Sequence, residues 1–469
     1  MNCTLRILPH LRDRPDRLAI STLRGGRASF ADIGQLAGAV QSFMQREGLR
    51  AGDPVLVLAQ PSPLLYGTLV GLLGQGLQVL FVEPWLPVSD IEHILATVQP
   101  RAFIGSRAAQ LWALRVPGVR RIPRWVHVGR FRRARGHAFE PVDVASDQTA
   151  TITFSSGTTG RPKGVVRSHE CMASLQEAVV EAGSLDAYEE PALCVFPNLA
   201  LLHLGTGRGG VLVPGKWSRR NLQKVAAEAG RRRVASLTTG PAFLLHLLRT
   251  IPDGDLLPGL RTVMVGGAQT DRWILERCFE RWPETRWIHL YGSSEAEPVA
   301  VADARRAVQL SEERGLFQTL FVGAPVPVIE ARPEPAGLRV RGPNVATRLG
   351  DSPSVDWLEM GDRITVDDAG WWYGGRASQP GDEFDLEQRL YSFLETSACF
   401  VTRDADGRLC LCGEGVERRV GRDRAGFASL FPEIQHIVET PIVRDRRHRA
   451  RIDRRATLAS LPTTARIPQ

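Results

Sequence analysis

Lysine is scarce in this chain of 469 residues. Lysine and arginine together number 59, yet only three are lysines, Lys163, Lys216 and Lys224. Because arginine fills nearly every other basic position, the lysine at 163 is informative about what that position requires. No lysine follows Lys224, so the C-terminal half cannot carry out chemistry that depends on a lysine side chain.

Cysteine is also sparse and forms no recognisable metal-binding or disulfide pattern. The chain has seven cysteines, an odd number. Cys410-x-Cys412 has no second pair of ligands, which argues against a zinc site. The first residues lack a signal-peptide pattern, and we expect a reduced, cytoplasmic setting.

Long apolar runs are almost missing. Residues 64–82 are uncharged, which by length alone is a candidate for a membrane span. The run contains four glycines and two glutamines and is flanked by prolines. We predict a buried helix over 64–73 followed by a strand over 78–82, with no transmembrane segment.

The chain carries a net charge of +8 without a motif that binds nucleic acid. Arginines cluster at 130–135, 231–233 and 444–455, and no aromatic residues interleave with the last cluster. Solvated basic faces are the preferred interpretation, and nucleic-acid binding is the alternative. Hydrophobic residues at 43% and charged residues at 23% describe a globular protein, and this length predicts two or more domains.

The fold class predicted is α/β. Residues 1–150 alternate helical and strand patterns joined by short turns, which favours a parallel sheet covered on both faces. The same alternation continues after residue 168. A chain of this kind presents its loops at the carboxyl ends of the strands, where ligands bind.

Residues 151–166, TITFSSGTTGRPKGVV, form the most informative stretch. Ile152 and Phe154 alternate as in a strand, residues 155–160 are all Ser, Thr or Gly, and a β-favouring run resumes at Val165. Glycines allow close backbone approach, and hydroxyl and N–H groups donate to phosphate oxygens. Lys163 adds a positive charge. The spacing is not that of a Walker loop, and a flexible linker is the alternative.

This stretch resembles the signature loop of the adenylate-forming superfamily, which includes acyl-CoA synthetases, adenylation domains and luciferases. The family pattern [YF]-[TS]-S-G-[TS]-T-G-x-P-K-G is matched at every position from Phe154 to Gly164. The resemblance implies that ATP is bound by the residues of this loop, namely Ser155, Ser156, Gly157, Thr158, Thr159, Gly160 and Lys163. It also implies a catalytic role for Lys163.

Two further segments fit the same family. Residues 266–268 match a G-G-A whose backbone lies along adenine, which implies roles for Gly266, Gly267 and Ala268. Residues 291–295 match Y-G-x-[TS]-E. An aromatic ring can stack on adenine, a hydroxyl can reach the α-phosphate, and a carboxylate can hold Mg²⁺. The resemblance assigns nucleotide contacts and, for the last residue, the metal and a catalytic role to Tyr291, Gly292, Ser293, Ser294 and Glu295.

A third segment resembles the ribose-binding hairpin of the family. Its pattern G-D-x-x-x-x-D-x-x-G-x-x-x-x-G-R begins at Gly361. By the resemblance, Asp362 accepts hydrogen bonds from the ribose hydroxyls and Arg376 lies near the nucleotide. We therefore expect a large AMP-binding domain over 1–375, with mostly parallel sheets covered by helices, and a small mobile α+β domain over 376–469.

The C-terminal part departs from the family pattern. The acidic hinge residue is missing after Arg376, and the hinge segment is short. Aligning the closing motif on Arg447-His448 places Arg451 where the family has a lysine that bridges the substrate carboxylate and the α-phosphate. Arg451 keeps the charge but differs in shape and reach, which implies activity that is reduced, altered or dependent on a partner.

The resemblance implies an enzyme that uses ATP and Mg²⁺ to convert a carboxylic acid, fatty or related, into acyl-AMP with release of pyrophosphate. In most of the family a thiol of coenzyme A or of a carrier-protein phosphopantetheine then accepts the acyl group. Residues 196–201 and 296–300 resemble the β-lactone synthetases of bacterial olefin pathways. Lactone formation from a β-hydroxy acid is therefore the second outcome, and a catalytically impaired nucleotide-binding homologue is the third.

Overall fold

The structure is a computed structural model of the chain. It describes residues 1–23, 25–133, 136–155, 162–251, 257–348, 357–404, 406–445 and 451–461, without the side chains of Arg133, Ser155 and Arg348. Strands and helices alternate along most of the described chain.

The strands, numbered in chain order, are β1 (Leu18–Thr22), β2 (Arg27–Ser29), β3 (Pro54–Leu58), β4 (Gln78–Leu80), β5 (Ala102–Gly105), β6 (Arg124–His127), β7 (Thr149–Ser155), β8 (Lys163–Ser168), β9 (Ala192–Cys194), β10 (Gly210–Leu212), β11 (Ser236–Thr239), β12 (Thr262–Gly266), β13 (Thr270–Asp271), β14 (Arg286–Tyr291), β15 (Ala300–Asp303), β16 (Gln318–Thr319), β17 (Phe321–Pro325), β18 (Glu330–Glu334), β19 (Gly337–Arg341), β20 (Thr347–Arg348), β21 (Leu358–Glu359), β22 (Asp362–Asp367), β23 (Gly370–Arg376), β24 (Cys399–Arg403), β25 (Leu409–Gly413) and β26 (Ile434–Glu439).

The helices are α1 (Leu8–Asp13), α2 (Phe30–Arg46), α3 (Pro63–Gly74), α4 (Val88–Val98), α5 (Arg107–Ala113), α6 (Pro117–Arg120), α7 (His169–Gly183), α8 (Pro197–Gly205), α9 (Arg219–Arg231), α10 (Pro241–Thr250), α11 (Arg272–Arg281), α12 (Ala304–Glu313), α13 (Gly381–Leu394), α14 (Val416–Val420), α15 (Arg424–Leu430) and α16 (Arg454–Ala459).

A first sheet holds the signature stretch. Its described strands lie in the order β20-β8-β7-β4-β3-β5-β6, and the pairs β7–β4, β4–β3, β3–β5 and β5–β6 are parallel. Strand β3 is apolar throughout because it is central, and Val55, Leu56 and Val57 are buried. Strands β7 and β8 form an antiparallel hairpin at the other side of the sheet.

The uncharged run over 64–82 folds as a buried helix and a strand, as predicted. The Ser62 side chain caps α3 by accepting from the Leu65 amide, and Pro63 occupies the first turn. The strand ends at Leu80, two residues earlier than predicted. Among the described helices, none has the length and apolar character needed to cross a membrane.

A second sheet positions the other motifs. In the described chain its order is β2-β1-β10-β9-β11-β12-β14-β15-β17-β23-β22, with a parallel centre and antiparallel edges. Strands β12 and β14 are parallel neighbours, with Gly266 opposite Leu290. The G-G-A segment and the Tyr291 loop therefore emerge side by side at one edge of this sheet, where ligands bind in α/β folds.

The C-terminal part has its own core. Strands β24–β26 form a small mixed sheet, and Leu390 of α13 packs with Val401 and Leu411. The predicted fold class, a large α/β domain followed by a small α+β domain, is confirmed. The division at 375/376 remains a prediction, and it falls at the end of β23.

Candidate functional site

Three side chains from different strands meet at the edge of the second sheet. The Tyr291 hydroxyl donates to Asp362 Oδ2 over 2.8 Å. Arg376 pairs with Asp362 across the β22–β23 hairpin, and its Nη1 lies 2.8 Å from Asp362 Oδ1. The Asp362 side chain is 6% exposed and that of Arg376 is 42% exposed, so the carboxylate is covered while the guanidinium reaches the open side.

Burial governs the titration of this group. Burial raises the pKa of Asp362, and Arg376 and the Tyr291 hydroxyl oppose that rise. Burial, reinforced by the negative charge of Asp362, also raises the pKa of Tyr291. Tyr291 therefore stays protonated and acts as a hydrogen-bond donor at ordinary pH.

The G-G-A segment has a local reason for its glycines. A Cβ at Gly266 would lie 2.6 Å from the carbonyl oxygen of Leu290 on the neighbouring strand, and Gly267 has a φ of +84°. Side chains are excluded at the first position by sterics and strained at the second by conformation. The segment thus presents bare backbone beside Tyr291.

Arg451 reaches this segment from the C-terminal part. Its Nε donates to the carbonyl oxygen of Gly267 over 2.9 Å, and its amide donates to Asp445 Oδ1 over 3.0 Å. Burial raises the pKa values of Asp362 and Tyr373, and the charge of Arg451 is among the influences that oppose that rise. The structure therefore brings Arg451 to the expected nucleotide site.

Glu295 follows the Tyr291 loop and suits Mg²⁺ in its chemistry. Its amide donates to Ser293 Oγ over 3.2 Å, and its carbonyl accepts from the Ala346 amide over 2.7 Å. No group of three or more His, Cys, Asp or Glu side chains placed to hold a metal lies in the described ranges. Mg²⁺ is commonly held by one or two carboxylates with substrate phosphates and water, so a single carboxylate fits this ion.

The hairpin β7–β8 frames the signature loop. Ser155 lies opposite Lys163 in the last pair of the hairpin. Lys163 is partly exposed. The predicted residues Ser156, Gly157, Thr158, Thr159 and Gly160 lie outside the described residues, as does the side chain of Ser155.

A cavity of about 1030 Å³ separates the two parts of the chain. It is large enough for a nucleotide, and its walls include most of the predicted residues outside the signature loop, namely Gly267, Ala268, Tyr291, Gly292, Asp362, Arg376 and Arg451. Of the described predicted residues, Gly266, Lys163, Ser293, Ser294 and Glu295 are not part of this wall.

Other residues of the site escaped the sequence analysis. Tyr373 lines the cavity, and its ring centre lies 6.2 Å from that of Tyr291. Burial raises the pKa of Tyr373 to about 12. In the sequence, Tyr373 was marked only by its position two residues before Gly375 of the hairpin motif. Its aromatic ring did not distinguish it, because the preceding Trp371 and Trp372 are also aromatic and are buried.

His203 is structural. It lies in α8 and is 2% exposed, with its Nδ1 3.3 Å from Nη2 of the buried Arg208. Burial and the charge of Arg208 lower its pKa far below the usual value. A histidine held in this way packs the helix against its neighbours.

The AMP-binding enzyme family matches residues 9–345, which is well over half of the chain. The chain therefore belongs to the AMP-binding enzyme family. An olefin beta-lactone synthetase from Xanthomonas campestris is 28% identical over 64% of this chain and 58% of its own length. One from Stenotrophomonas maltophilia is 26% identical, covering 88% and 79%. A feruloyl-CoA synthase from Amycolatopsis is 25% identical, covering 87% of each chain.

Solved structures share the fold. The o-succinylbenzoate CoA synthetase of Bacillus subtilis, in complex with its acyl-adenylate intermediate, gives a TM-score of 0.74 at 17% identity, covering 94% of this chain and 96% of that one. A fatty acyl CoA synthetase of Mycobacterium tuberculosis gives 0.72 at 16%, covering 97% of each. At this identity the likeness concerns the fold alone. The family, the fold and the enzyme class predicted from the motifs are confirmed.

Proposed function

We propose that this protein activates a carboxylic acid, fatty or related, by converting it with ATP into acyl-AMP. A carboxylate oxygen of the acid attacks the α-phosphorus, the bond to the β-phosphate oxygen breaks, and pyrophosphate leaves. The observation that carries the proposal is the cavity shared by Tyr291, Asp362, Arg376 and Arg451 in a member of this family. Catalysis here is positioning and charge neutralisation.

Each residue of the site has a proposed role. Asp362 accepts hydrogen bonds from the ribose hydroxyls. Its carboxylate has enough lone pairs to do so while it also contacts Tyr291 and Arg376. The bare backbone at Gly267 and Ala268 lies along adenine, and the ring of Tyr291 packs against it. Arg451, which is exposed beside Gly267, neutralises the negative charge that develops at the α-phosphate. Glu295 would hold Mg²⁺, which would supply further neutralisation of phosphate charge.

The second half-reaction proposed is transfer to a thiol of coenzyme A or of a carrier protein. The sulfur attacks the acyl carbon, the thiol loses its proton, and AMP leaves with the electrons of the broken C–O bond. Thiol transfer requires rearrangement of the small domain in enzymes of this kind, and the large cavity between the two parts leaves room for it.

Lactone formation is the second candidate, and two observations favour it. Two of the relatives are olefin beta-lactone synthetases, and only residues 377–380 separate β23 from α13. In this reaction the β-hydroxyl oxygen of the activated acid attacks its own acyl carbon, loses its proton and expels AMP. The acid loses one water overall, and no thiol is needed because the hydroxyl is already adjacent.

Pyrophosphate exchange tests the adenylation step. Wild-type protein should exchange labelled pyrophosphate into ATP in the presence of one or more acids from a panel of different chain lengths. Lys163→Ala should lower exchange by roughly tenfold, since it removes a charge-assisted contact to phosphate. Lys216→Ala, an exposed lysine elsewhere in the large domain, is the matched control. Absence of exchange with every acid would favour the impaired homologue instead.

Product analysis separates the two acceptors. A β-hydroxy acid and its deoxy analogue are each incubated with ATP, either without a thiol or with coenzyme A or a loaded carrier. The products are then identified by mass spectrometry. A thioester from both acids supports ligation. Loss of water from the hydroxy acid alone, without any thiol, would favour lactone formation over thiol ligation.

Cytoplasmic location is proposed on a separate ground. All seven cysteines are unpaired, and six of them are buried as thiols, which suits a reducing compartment.

A further inference from the structure

The hairpin of β7 and β8 presents two cations on one face. In the register of the hairpin, Ser155 lies opposite Lys163, Thr153 opposite Val165 and Thr151 opposite Arg167. Because alternate residues of a strand share a face, the side chains at 163, 165 and 167 point to the same side as that of Thr153. Arg167 is thus in line with Lys163 along the strand that leaves the signature loop.

Arg167 ties this hairpin to the second sheet. Its Nη1 donates to Thr153 Oγ1 over 3.0 Å, and its Nη2 donates to the carbonyl oxygen of Ser294, which is 127 residues away in the chain. The guanidinium is partly buried. A planar fork can serve a hydroxyl and a carbonyl at once, which a lysine ammonium does less well because it is a point charge on a flexible stem.

The other side of Glu295 is tied to the same hairpin. The Glu295 carbonyl accepts from the Ala346 amide over 2.7 Å. The next residue, Thr347, pairs with Val166 in β8. The peptide groups before and after the Glu295 α-carbon are therefore both anchored to β8, one through the Arg167 side chain and the other through residues 346–347.

We propose that Arg167 is a positioning residue that fixes the direction of the Glu295 carboxylate relative to Lys163 and thereby sets the affinity for Mg²⁺ with ATP. This inference rests on the proposed function. Two anchors determine the orientation of the residue between them, whereas one anchor leaves the peptide free to rotate about it. Loss of Arg167 should therefore loosen Glu295 without removing any group that touches the nucleotide.

The test measures binding of ATP by calorimetry at a series of Mg²⁺ concentrations and in EDTA. Mg²⁺ should increase the affinity for ATP, and the Mg²⁺ concentration that gives half of this increase is the quantity compared. In Arg167→Ala this concentration should be roughly ten times higher, which corresponds to the loss of one charge-assisted hydrogen bond. ATP affinity in EDTA should stay unchanged. In a Glu295→Gln background the same substitution should add little, because both changes act on one metal ligand.

Arg281→Ala is the matched control. Arg281 is another partly buried arginine, and its Nη2 donates to the carbonyl oxygen of Ile251 over 2.8 Å, away from the site. It should leave the Mg²⁺ requirement at the wild-type value even if the melting temperature falls. If Arg167→Ala does not fold, Arg167→Lys and Thr153→Val provide the same comparison, because each weakens part of the hydrogen bonding that joins Thr153, Arg167 and Ser294.

The outcomes separate the inference from the proposed function. An Mg²⁺ requirement for the Arg167 variants equal to that of Arg281→Ala would overturn the inference. A loss of ATP affinity in EDTA as large as the loss with Mg²⁺ would also overturn it, because it would indicate that Arg167 contacts the phosphates directly. A shift that adds fully to that of Glu295→Gln would also overturn it. Wild-type protein that binds ATP with Mg²⁺ but exchanges no pyrophosphate would contradict the proposed function while leaving the binding comparison valid. Wild-type protein that binds no ATP would contradict both.

Discussion

The side chains on the two walls of the central cavity are held in place by different kinds of contact. On the large-domain wall, Asp362 contacts both Tyr291 and Arg376 directly within one sheet. On the opposite wall, Arg451 is exposed and contacts the large domain through the carbonyl of Gly267. A buried, hydrogen-bonded group keeps its geometry without ligand, whereas an exposed arginine can reorient at little cost. Nucleotide binding should thus depend mainly on the first wall and the reaction step on the second.

The largest effect is expected on the preformed wall. Asp362→Asn removes the charge and one acceptor oxygen from a buried site, so kcat/KM for ATP should fall by roughly a hundredfold. Asp367→Asn is the control, because Asp367 lies on the same strand with an exposed side chain. Steady-state kinetics in ATP would check this. A loss of less than threefold would mean that the nucleotide is bound elsewhere.

Arg451 tests the opposite wall, with a smaller effect. Arg451→Ala should slow pyrophosphate exchange by about tenfold, since it removes one mobile cation, and should spare acyl transfer from preformed acyl-AMP. Arg451→Lys should keep or raise the exchange rate if the arginine is an imperfect replacement. Arg455→Ala, a nearby exposed arginine, controls for net charge. Equal exchange rates in all variants would show that this wall takes no part in adenylation.

The same contrast separates what local pattern could predict from what it could not. The hairpin motif brought Asp362 and Arg376 together on β22 and β23, but their exact pairing depends on a register shift between Asp362 and Ile364 that the two-residue turn does not predict. The glycines at 266–267 were recognisable from their motif. The tie from Arg167 to Ser294 and the pairing of Thr347 with Val166 join residues more than a hundred positions apart. No periodicity encodes such contacts, because they depend on how segments distant in the chain come together in the folded protein.

A milder change to the preformed wall is Tyr291→Phe. The ring is kept and only the 2.8 Å donation to Asp362 is lost, while Asp362 keeps its ion pair with Arg376, so kcat/KM for ATP should fall by about threefold. Because burial raises the pKa of Tyr291, the pH–rate profiles of wild type and variant should run parallel between about pH 7 and 9. Divergent profiles would show that the hydroxyl ionises in the working range.

The smallest effect is expected at Asp271, where the two parts of the chain meet. Gln318 donates to its Oδ1 over 3.1 Å, and Ser397 of the C-terminal part donates to its Oδ2 over 2.9 Å. Burial raises its pKa above the usual 3.8, and the two donors and the charge of Arg444 oppose that rise without cancelling it. The folded state thus favours the neutral carboxyl more than the unfolded state does.

That raised pKa has a definite sign in the stability of the protein. The stabilising contribution of neutral Asp271 is complete below pH 3.8 and is lost as the pH rises through the folded pKa. Asp271→Asn imitates the neutral form at every pH, so its melting temperature relative to wild type should rise by about 1 to 2 °C between pH 4 and pH 7. Asp147→Asn, at an exposed aspartate, should show no such trend. A relative melting temperature that falls with pH would mean that the charged carboxylate is the form that joins the two parts, and the weakly held wall would then be anchored more firmly than its contacts indicate.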